Sequence, residues 1–420
     1  MSYASCKQYG IALTLCFCLI FGLTATADAK PLSKQEAKQV AQSLLQRQQD
    51  ILLQSDGANW DAGFIRNRSF AMPFYYKVFG PMPHDGRSMY ISMHGGGGTT
   101  ADVNNQQWEN QKHLYQPHEG VYFVPRAPTD TWNMWHQGYM DGLLEKAIAL
   151  AVIKEGVNPN KVYIMGYSAG GDGVYQLAPR LADLWAGAAM SAGHPGDAHI
   201  ENLLNLPFAL YVGGQDSAYN RNGLALEWLE RLSELSEEFS DGFYHDAHIF
   251  GEYGHWMEGA DAMSMDWLPQ FERDPIPYCI IWFQDDVLRE HFYWLSVNTN
   301  DARQDDLIIA AYDDETNEVY IDESTTVQKF TIGLNDAMMD LDKPVRVYRG
   351  DRLIFEGHVV RLEENIQADV GAMRDRGLLF PVKLHVDGNI VSAREVRSAK
   401  GKWGAREERQ PRSFMNKSSW

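Results

Sequence analysis

The chain has 420 residues, of which 45% are hydrophobic and 22% are charged. This composition is typical of a folded protein and excludes a chain that is disordered throughout, and the length predicts two domains. The formal net charge of −19 repels phosphate groups, so the sequence argues against a nucleic-acid partner.

The first residues have the pattern of an export signal. Lys7 precedes an uncharged apolar run over residues 11–23, and Ala25 and Ala27 form a small-x-small cleavage site. The alternative is a short membrane anchor, although the run is shorter than the roughly 20 residues that a spanning helix needs. We predict a signal peptide over residues 1–27, a secreted or periplasmic chain, and no stable membrane span after processing.

Cysteine usage follows from this prediction. Cys6, Cys16 and Cys18 lie in the signal segment, so the mature chain would keep Cys279 alone and contain no internal disulfide. Cys279 lies in an apolar run over residues 278–283, which favours a buried, unreactive thiol over a nucleophile.

An amphipathic helix is predicted over residues 33–53, within an N-terminal segment of residues 28–60. Ser33 and Glu36 have the spacing of a capping box, and apolar residues recur near helical spacing after them. Nothing in this helix suggests chemistry.

Strand and helix patterns alternate over residues 61–275. The alternation predicts the α/β class, with a doubly wound, mainly parallel sheet covered on both faces. A turn is predicted at residues 158–160. The predicted strands are residues 88–93, 121–125, 161–165, 186–191, 207–212 and 245–250, and the predicted helices are residues 139–153, 171–182 and 223–239.

After about Pro275 the alternation stops. Short strand patterns separated by turn-rich pieces predict a smaller β-rich accessory domain over residues 276–391. Residues 392–420 are polar and basic without periodicity, and they are predicted to form a flexible tail. The predicted accessory strands are residues 307–311, 318–321, 328–332, 345–348 and 353–359.

The strongest catalytic signal is Gly166-Tyr167-Ser168-Ala169-Gly170, between a predicted strand and a predicted helix. A nucleophile on a sharp strand-to-helix turn needs unusual backbone angles, and flanking glycines relieve crowding there. The helix N-terminus beside it favours developing negative charge. This context makes Ser168 the candidate nucleophile; the alternative is an ordinary turn that contains a serine.

A second signal is the sequence His-Gly-Gly-Gly-Gly at residues 94–98, after the predicted strand 88–93. Backbone N–H groups of such a run can approach an oxyanion without obstruction by side chains. We predict an oxyanion hole formed by Gly96 and Gly97 together with the N–H of Ala169. The alternative is a flexible linker.

A serine nucleophile requires a base, and the base requires a carboxylate that holds it in one tautomer. In a sheet of this kind the chain order is serine, acid, histidine. Asp216 follows the predicted strand 207–212 and His255 follows the predicted strand 245–250, so these two residues are predicted to complete a triad with Ser168.

Other residues compete for these roles. Asp197 is an alternative acid. His194 follows a strand and could line the cleft, but it precedes the acid in the chain. Asp172, on the helix after the nucleophile, is predicted to be structural, as are His245 and His248.

Aromatic side chains are predicted to bind substrate. Trp132, Trp135 and His136 lie in a polar loop after the predicted strand 121–125, and Tyr167 adjoins the nucleophile. Aromatic faces bind sugar rings and aromatic acyl groups. The alternative is that these side chains pack the loop onto the core.

The sequence predicts no cofactor and no metal site. His194 and His199 lie in a loop with Pro195 and Gly196, which is poor geometry for metal ligands. No phosphate-binding loop and no dinucleotide fingerprint is present in the sequence.

At these residues the chain resembles a known family. Residues 94–98, residues 166–171, Asp216 and Gly254-His255 together look like the α/β-hydrolase serine esterases grouped with polyhydroxybutyrate depolymerases, feruloyl esterases and dienelactone hydrolases. The resemblance covers residues 74–265 and includes the loop of residues 132–136. It implies a triad of Ser168, Asp216 and His255 that cleaves a small or polymeric carboxylic ester.

Two other functions stay open. Prolyl-oligopeptidase peptidases share the triad order, so a serine peptidase is one alternative, and a non-catalytic binding protein on a hydrolase scaffold is another. The β-rich segment lies outside the resemblance. The sequence predicts neither the acyl and alcohol groups nor the oligomeric state.

Overall fold

The computed structural model describes residues 30–393. The predicted signal peptide, and the predicted tail from residue 394 onward, lie outside the described residues. Residues 31–393 belong to one compact unit. No helix within residues 30–393 has the length and apolar content needed to cross a membrane.

Eight strands form the central sheet. They are β1 (Phe64–Arg66), β2 (Ala71–Phe79), β3 (Arg87–Met93), β4 (Gly120–Pro125), β5 (Val157–Tyr167), β6 (Gly187–Ser191), β7 (Phe208–Gly213) and β8 (His245–Phe250). Their order across the sheet is β1-β2-β4-β3-β5-β6-β7-β8. β2 runs antiparallel to both of its neighbours, and every pair from β4 across to β8 is parallel.

Seven α-helices accompany the strands in the part of the chain that the structure describes. They are α1 (Lys34–Asp61), α2 (Ala101–Gln111), α3 (Tyr139–Glu155), α4 (Ala169–Arg180), α5 (Arg221–Glu238), α6 (Ser264–Trp267) and α7 (Glu363–Gly371). Strands β4, β6 and β7 are buried at every position, as expected for a parallel sheet that is covered on both faces. The predicted α/β class is confirmed.

Helix α1 begins as the sequence predicts and runs beyond the predicted end at residue 53. The Ser33 hydroxyl accepts the N–H of Glu36, and the Glu36 carboxylate accepts the N–H of Ser33 at 2.8 Å, which completes the capping box. In the last turn, Trp60 is buried and its ring lies 4.8 Å from that of Phe74 on β2. Packing on the sheet therefore stabilises the additional helical turns.

Ten further strands form two sheets after residue 275. They are β9 (Cys279–Phe283), β10 (His291–Phe292), β11 (Leu295–Ser296), β12 (Leu307–Asp313), β13 (Glu318–Ile321), β14 (Lys329–Leu334), β15 (Val345–Arg349), β16 (Arg352–Gly357), β17 (Val382–Asp387) and β18 (Ile390–Ser392). The strand orders are β10-β11-β14-β17-β18 and β16-β15-β13-β12-β9. The segment is β-rich, as predicted, and additionally contains α7.

The core continues from the central sheet into these C-terminal sheets. One hydrophobic cluster contains Ile164 of β5, Leu210 of β7, Trp282 of β9 and Ile332 of β14. The predicted boundary near residue 275 lies within this shared core.

The start of β5 differs from the prediction. Residues 158–160, predicted as a turn, belong to this strand. Val157 pairs with Arg87 of β3, and pairing resumes between Val162 and Met89 after a register shift. The residues between them leave the ladder, which is the irregular backbone that Asn-Pro-Asn favours.

Candidate active site

Ser168 lies at the sharp turn between β5 and α4. Its φ of 58° and ψ of −120° are unusual for a residue with a side chain. The flanking glycines are required by space, because a Cβ atom at Gly166 would clash with the Gly170 carbonyl and one at Gly170 would clash with the Met93 carbonyl. The Ser168 N–H donates to the carbonyl of Ser191 at 2.9 Å, which holds the turn against β6.

The imidazole of His255 lies between Ser168 and Asp216. Its Nε2 is 2.9 Å from Ser168 Oγ, and its Nδ1 is 2.7 Å from Asp216 Oδ2. Ser168 follows β5, Asp216 follows β7 and His255 follows β8. Because these strands are parallel, their carboxyl ends lie at one edge of the sheet. Only 1% of the Asp216 side chain is exposed, against 43% for His255. This is the hydrogen-bond pattern of a nucleophile, a base and an orienting carboxylate.

The competing residues have other partners. Asp197 accepts a hydrogen bond from Gln176 at 3.2 Å, so it is Asp216 that contacts the imidazole. Asp172, in the first turn of α4, accepts the backbone N–H of His194 at 2.7 Å. Burial raises the pKa of the Asp172 carboxyl.

The sharp turn at Ser168 is called the elbow below. The glycine run after β3 contacts the elbow, because a Cβ atom at Gly95 would lie 3.3 Å from Ser168 Cβ. The N–H of Gly97, however, donates to Asn104 Oδ1 of α2 at 2.8 Å. A donor in this bond is not available to an oxyanion. The geometry therefore differs from the prediction that Gly97 contributes to the oxyanion hole.

Two of the predicted donors remain available. Within residues 30–393, neither the N–H of Gly96 nor the N–H of Ala169 has an acceptor. Ala169 is the first residue of α4, where backbone N–H groups are unpaired and the helix dipole favours negative charge. Both groups adjoin the hydroxyl-bearing turn and can act as oxyanion donors.

His94 orients the peptide that carries the Gly96 N–H. Its Nε2 accepts the N–H of Ala127 at 3.2 Å, so the proton lies on Nδ1, which donates to the Gly95 carbonyl at 2.6 Å. In a trans peptide the C=O and the following N–H point in opposite directions. The bond to Gly95 therefore turns the Gly96 N–H away from His94. Burial lowers the pKa of His94 to about 3, which keeps the ring neutral.

Trp132 is the predicted substrate-binding residue with an accessible face. It is 70% exposed, and its backbone carbonyl lies beside Gly97. The His136 ring stands edge-on to the Trp132 indole, with 5.4 Å between centroids. Burial lowers the pKa of His136 to about 4, so this ring is uncharged beside the indole.

Trp135 and Tyr167 differ from the prediction, because neither offers a face to a substrate. Trp135 is 1% exposed, and its indole N–H donates to the His94 carbonyl at 2.8 Å. The buried Tyr167 hydroxyl donates to the His255 carbonyl at 2.7 Å and accepts the Met257 N–H at 2.9 Å. Trp135 therefore holds the backbone of the loop at His94, and Tyr167 holds the backbone of the loop at His255.

The arrangement of the site in the sheet decides the fold. The glycine run follows β3, the nucleophile elbow follows β5, the acid follows β7 and the histidine follows β8. The fold is the α/β-hydrolase fold.

Comparison with known proteins gives distant structural likenesses. No protein-family model matches the chain, and no curated protein gives a significant match. Among solved structures it is similar to a thermostable esterase, at 15% identity and a TM-score of 0.37, over 50% of this chain and 62% of that one. A carboxylesterase from Bacillus cereus gives 15% identity and a TM-score of 0.36, over 49% of this chain and 95% of that one.

A feruloyl esterase module from Clostridium thermocellum in complex with sinapinate gives 14% identity and a TM-score of 0.33, over 48% of this chain and 83% of that one. The chain thus spans about 62% of the length of the thermostable esterase. The fold assignment rests on the strand order of the central sheet and on the strand-to-helix turn at Ser168.

Four residues of the site are not among those predicted. Trp256 and Tyr219 are 54% and 78% exposed and follow the predicted base and acid closely in the chain, a signal that was available. Asn104, which binds Gly97, and Arg221, whose Nη1 lies 3.5 Å from Asp216 Oδ1, had no comparable signal, because their positions depend on where α2 and α5 begin relative to the sheet edge.

Other parts of the molecule are separate from this site. A cavity of about 1170 Å³ lies between α1, α3 and the C-terminal segment, and none of the predicted site residues lines it. Residues 30–393 contain no cluster of three or more metal-ligating side chains. Cys279 is buried, as predicted, and burial raises the pKa of its thiol to about 12.

Proposed function

We propose that the protein is an exported carboxylic-ester hydrolase that acts through an acyl-enzyme on Ser168. The observation that carries this proposal is the position of His255, within hydrogen-bond distance of both the Ser168 hydroxyl and the buried Asp216 carboxylate. Hydroxyl, imidazole and carboxylate in this order activate a serine for attack on a carbonyl. The motif resemblance to serine esterases favours esters over amides.

Acylation uses the groups of the triad in sequence. Ser168 Oγ attacks the ester carbonyl carbon while His255 Nε2 takes the hydroxyl proton, and Asp216 stabilises the resulting imidazolium. The N–H groups of Gly96 and Ala169 bind the oxyanion, and each such donor contributes roughly 3 kcal/mol in the transition state. His255 then returns the proton to the leaving alkoxide, which departs as the alcohol.

Deacylation repeats the steps with water. His255 takes a proton from a water molecule, the hydroxide attacks the acyl carbonyl, and the carboxylic acid leaves as Ser168 regains its proton. These steps require a base, a nucleophile and oxyanion donors, and this chain's own residues supply all three.

The surroundings of Ser168 favour a substrate with a flat face or an extended body. Three aromatic side chains near residues of the site in the chain or in space are exposed: Trp132, whose backbone lies beside Gly97, Trp256, which follows His255, and Tyr219, which follows Asp216 by three residues. Exposed aromatic faces bind rings by stacking. A small or polymeric ester could use them.

Matched substrates test the proposal against peptidase activity. An aryl ester and the anilide of the same acid should differ, with turnover of the ester several orders of magnitude faster and dependent on Ser168. Faster cleavage of peptidyl anilides than of matched esters would favour a peptidase. No turnover and no serine labelling would favour a binding protein.

We propose that export removes residues 1–27, so that the mature protein begins near Asp28 or Lys30. The support is the charged, apolar and small-residue pattern of the first residues. N-terminal sequencing of the exported protein should find this start; recovery of residues 1–27 would favour the anchor.

A further inference from the structure

The carboxylate of Asp216 has a second charged neighbour besides the imidazole. Its Oδ2 contacts His255 Nδ1, and its other oxygen, Oδ1, lies 3.5 Å from Nη1 of Arg221. Only 1% of the Asp216 side chain and 11% of the Arg221 side chain are exposed. An ion pair at this depth is screened little by water.

Arg221 occupies a position that its own helix does not favour. It is the first residue of α5, where the positive end of the helix dipole disfavours a cation, and the first turn of α5 contains no acidic residue. Its Nη1 also donates to the Ala218 carbonyl at 3.4 Å, and its Cζ lies 4.9 Å from the ring of Tyr219. Within residues 30–393 its buried Nε has no hydrogen-bond partner. The properties of helix α5 therefore do not explain why an arginine occupies its first position, whereas the ion pair with the Asp216 carboxylate does.

Within residues 30–393, two carboxylates interact with the His255 imidazole. Asp216 contacts the His255 ring directly, and Asp172 interacts electrostatically with both His255 and Arg221. The Tyr167 ring stands edge-on to the imidazole at 6.1 Å, and His194 binds Asp172 through its backbone. Arg221 is thus the cation that faces two carboxylates of the site.

We propose that Arg221 is a positioning residue for the proposed ester hydrolysis, which holds the Asp216 carboxylate in the orientation that binds His255 and offsets the negative charge of Asp216 and Asp172. This inference rests on the proposed function. Anchoring Oδ1 leaves Oδ2 directed at the imidazole, so the tautomer with the proton on Nδ1 is maintained.

The two parts of this role have separate consequences. Loss of the anchor lets the carboxylate rotate, which lowers kcat and leaves substrate binding nearly unchanged. Loss of the positive charge makes the imidazole easier to protonate, because two carboxylates then face it without a cation. The acidic limb of the kcat profile should therefore move to higher pH. A residue with a merely structural role would not move this limb.

The test compares Arg221→Gln, Arg221→Lys and the control Arg231→Gln in the full chain. Arg231 lies in the same helix and is 40% exposed, so its loss removes the same charge far from the site. For each variant, kcat and KM on one soluble aryl ester are measured from pH 5 to pH 9, with the thermal unfolding midpoint. Wild-type turnover and its loss in Ser168→Ala test the proposed function separately.

We expect Arg221→Gln to lower kcat about 10- to 100-fold with KM within about threefold of wild type, and to shift the acidic limb upward by roughly half a pH unit or more. Arg221→Lys should keep the limb near its wild-type position and recover part of kcat. Arg231→Gln should match wild type in both. If Arg221→Gln does not fold, a loss of kcat in folded Arg221→Lys at unchanged KM supports the role.

Three results would overturn the inference while leaving the proposed function intact, provided that the wild-type enzyme turns over. The first is a wild-type kcat and a wild-type pH profile of kcat in Arg221→Gln. The second is a shift of the pH profile in Arg231→Gln that equals the shift in Arg221→Gln. The third, which applies when Arg221→Gln does not fold, is a wild-type kcat in Arg221→Lys. Absence of wild-type turnover would instead contradict the proposed function.

Discussion

The backbone N–H of Gly97 donates a hydrogen bond to the side-chain oxygen of Asn104 at 2.8 Å. This bond ties the glycine run after β3 to helix α2 and fixes the chain directly after Gly96. It also leaves fewer glycine N–H groups able to bind an oxyanion than the glycine run contains.

Asn104→Ala should lower kcat for an aryl ester about tenfold with little change in KM, because the proposed donor at Gly96 loses its fixed position. Gln106→Ala is the matched control, since Gln106 is exposed on the same helix. Steady-state kinetics of both variants give the comparison. A wild-type kcat in Asn104→Ala would show that the bond to Gly97 does not matter for the proposed chemistry.

His94 should make folding stability depend on pH. Burial lowers its pKa to about 3, below the ordinary value of roughly 6.5 that applies in the unfolded chain. The unfolded chain therefore binds a proton that the native state excludes. The resulting stability is fully present above about pH 6.5 and is lost as pH falls toward 3, by up to about 1.4 kcal/mol for each pH unit. A proton on Nε2 would also oppose the Ala127 N–H that this atom accepts.

His94→Asn should therefore flatten the dependence of the unfolding free energy on pH between 6.5 and 4, by about one proton. Denaturant unfolding at several pH values measures this slope. The exposed His118 supplies the control, and His118→Asn should leave the slope as in wild type. An equal slope in His94→Asn and wild type would contradict a buried, neutral His94.

Trp132 and Trp135 should separate binding from stability. Trp132→Ala removes an exposed face and should raise KM for aryl or ring-bearing esters severalfold, with an unchanged unfolding midpoint. Trp135→Ala opens a cavity beneath His94 and should cost about 3–5 kcal/mol of stability. Steady-state kinetics and thermal unfolding of both variants test this prediction. A stability loss in Trp132→Ala together with a raised KM alone in Trp135→Ala would contradict it.

Arg180 should connect the elbow helix to the C-terminal segment. Its guanidinium, 1% exposed, binds Asp141 of α3 at 2.8 Å and lies 3.5 Å from Asp285. Arg180→Met would leave the buried Asp285 without a cation and Asp141 with Arg289 alone, whose Nη1 lies 3.7 Å from it, and we expect a loss of about 3–5 kcal/mol in unfolding free energy. The exposed Arg231→Met should lose less than about 1 kcal/mol. Equal effects would mean that this pair does not stabilise the shared core.

The elbow and the chain order of the triad residues could be predicted from the sequence because both are local patterns. Gly166 and Gly170 flank Ser168 in one short segment, and each further residue follows a strand that the apolar pattern identifies. These features needed no knowledge of distant contacts. The strand order, with β3 between β4 and β5, was not among the predictions, because right-handed crossovers restrict the possible orders without selecting one.

The features of the site that could not be predicted from the sequence depend on packing between distant segments. Trp132 and Trp135 have the same chemistry in one loop, and the burial of Trp135 depends on its packing against His94 and Gly173, which are distant in the chain. Helix α2 is rich in Asn and Gln and lacks an apolar stripe, so neither it nor the bond from Gly97 to Asn104 was predictable.

The most direct test of the proposed function is the site of reaction with a fluorophosphonate probe. The probe traps an activated serine, and peptide mass spectrometry locates the adduct. We expect one adduct, on Ser168, in wild type and in Asp197→Asn; much slower labelling in Asp216→Asn and His255→Ala; and none in Ser168→Ala. An adduct on another residue, or labelling of Ser168→Ala at the wild-type rate, would contradict the assignment of Ser168 as the nucleophile.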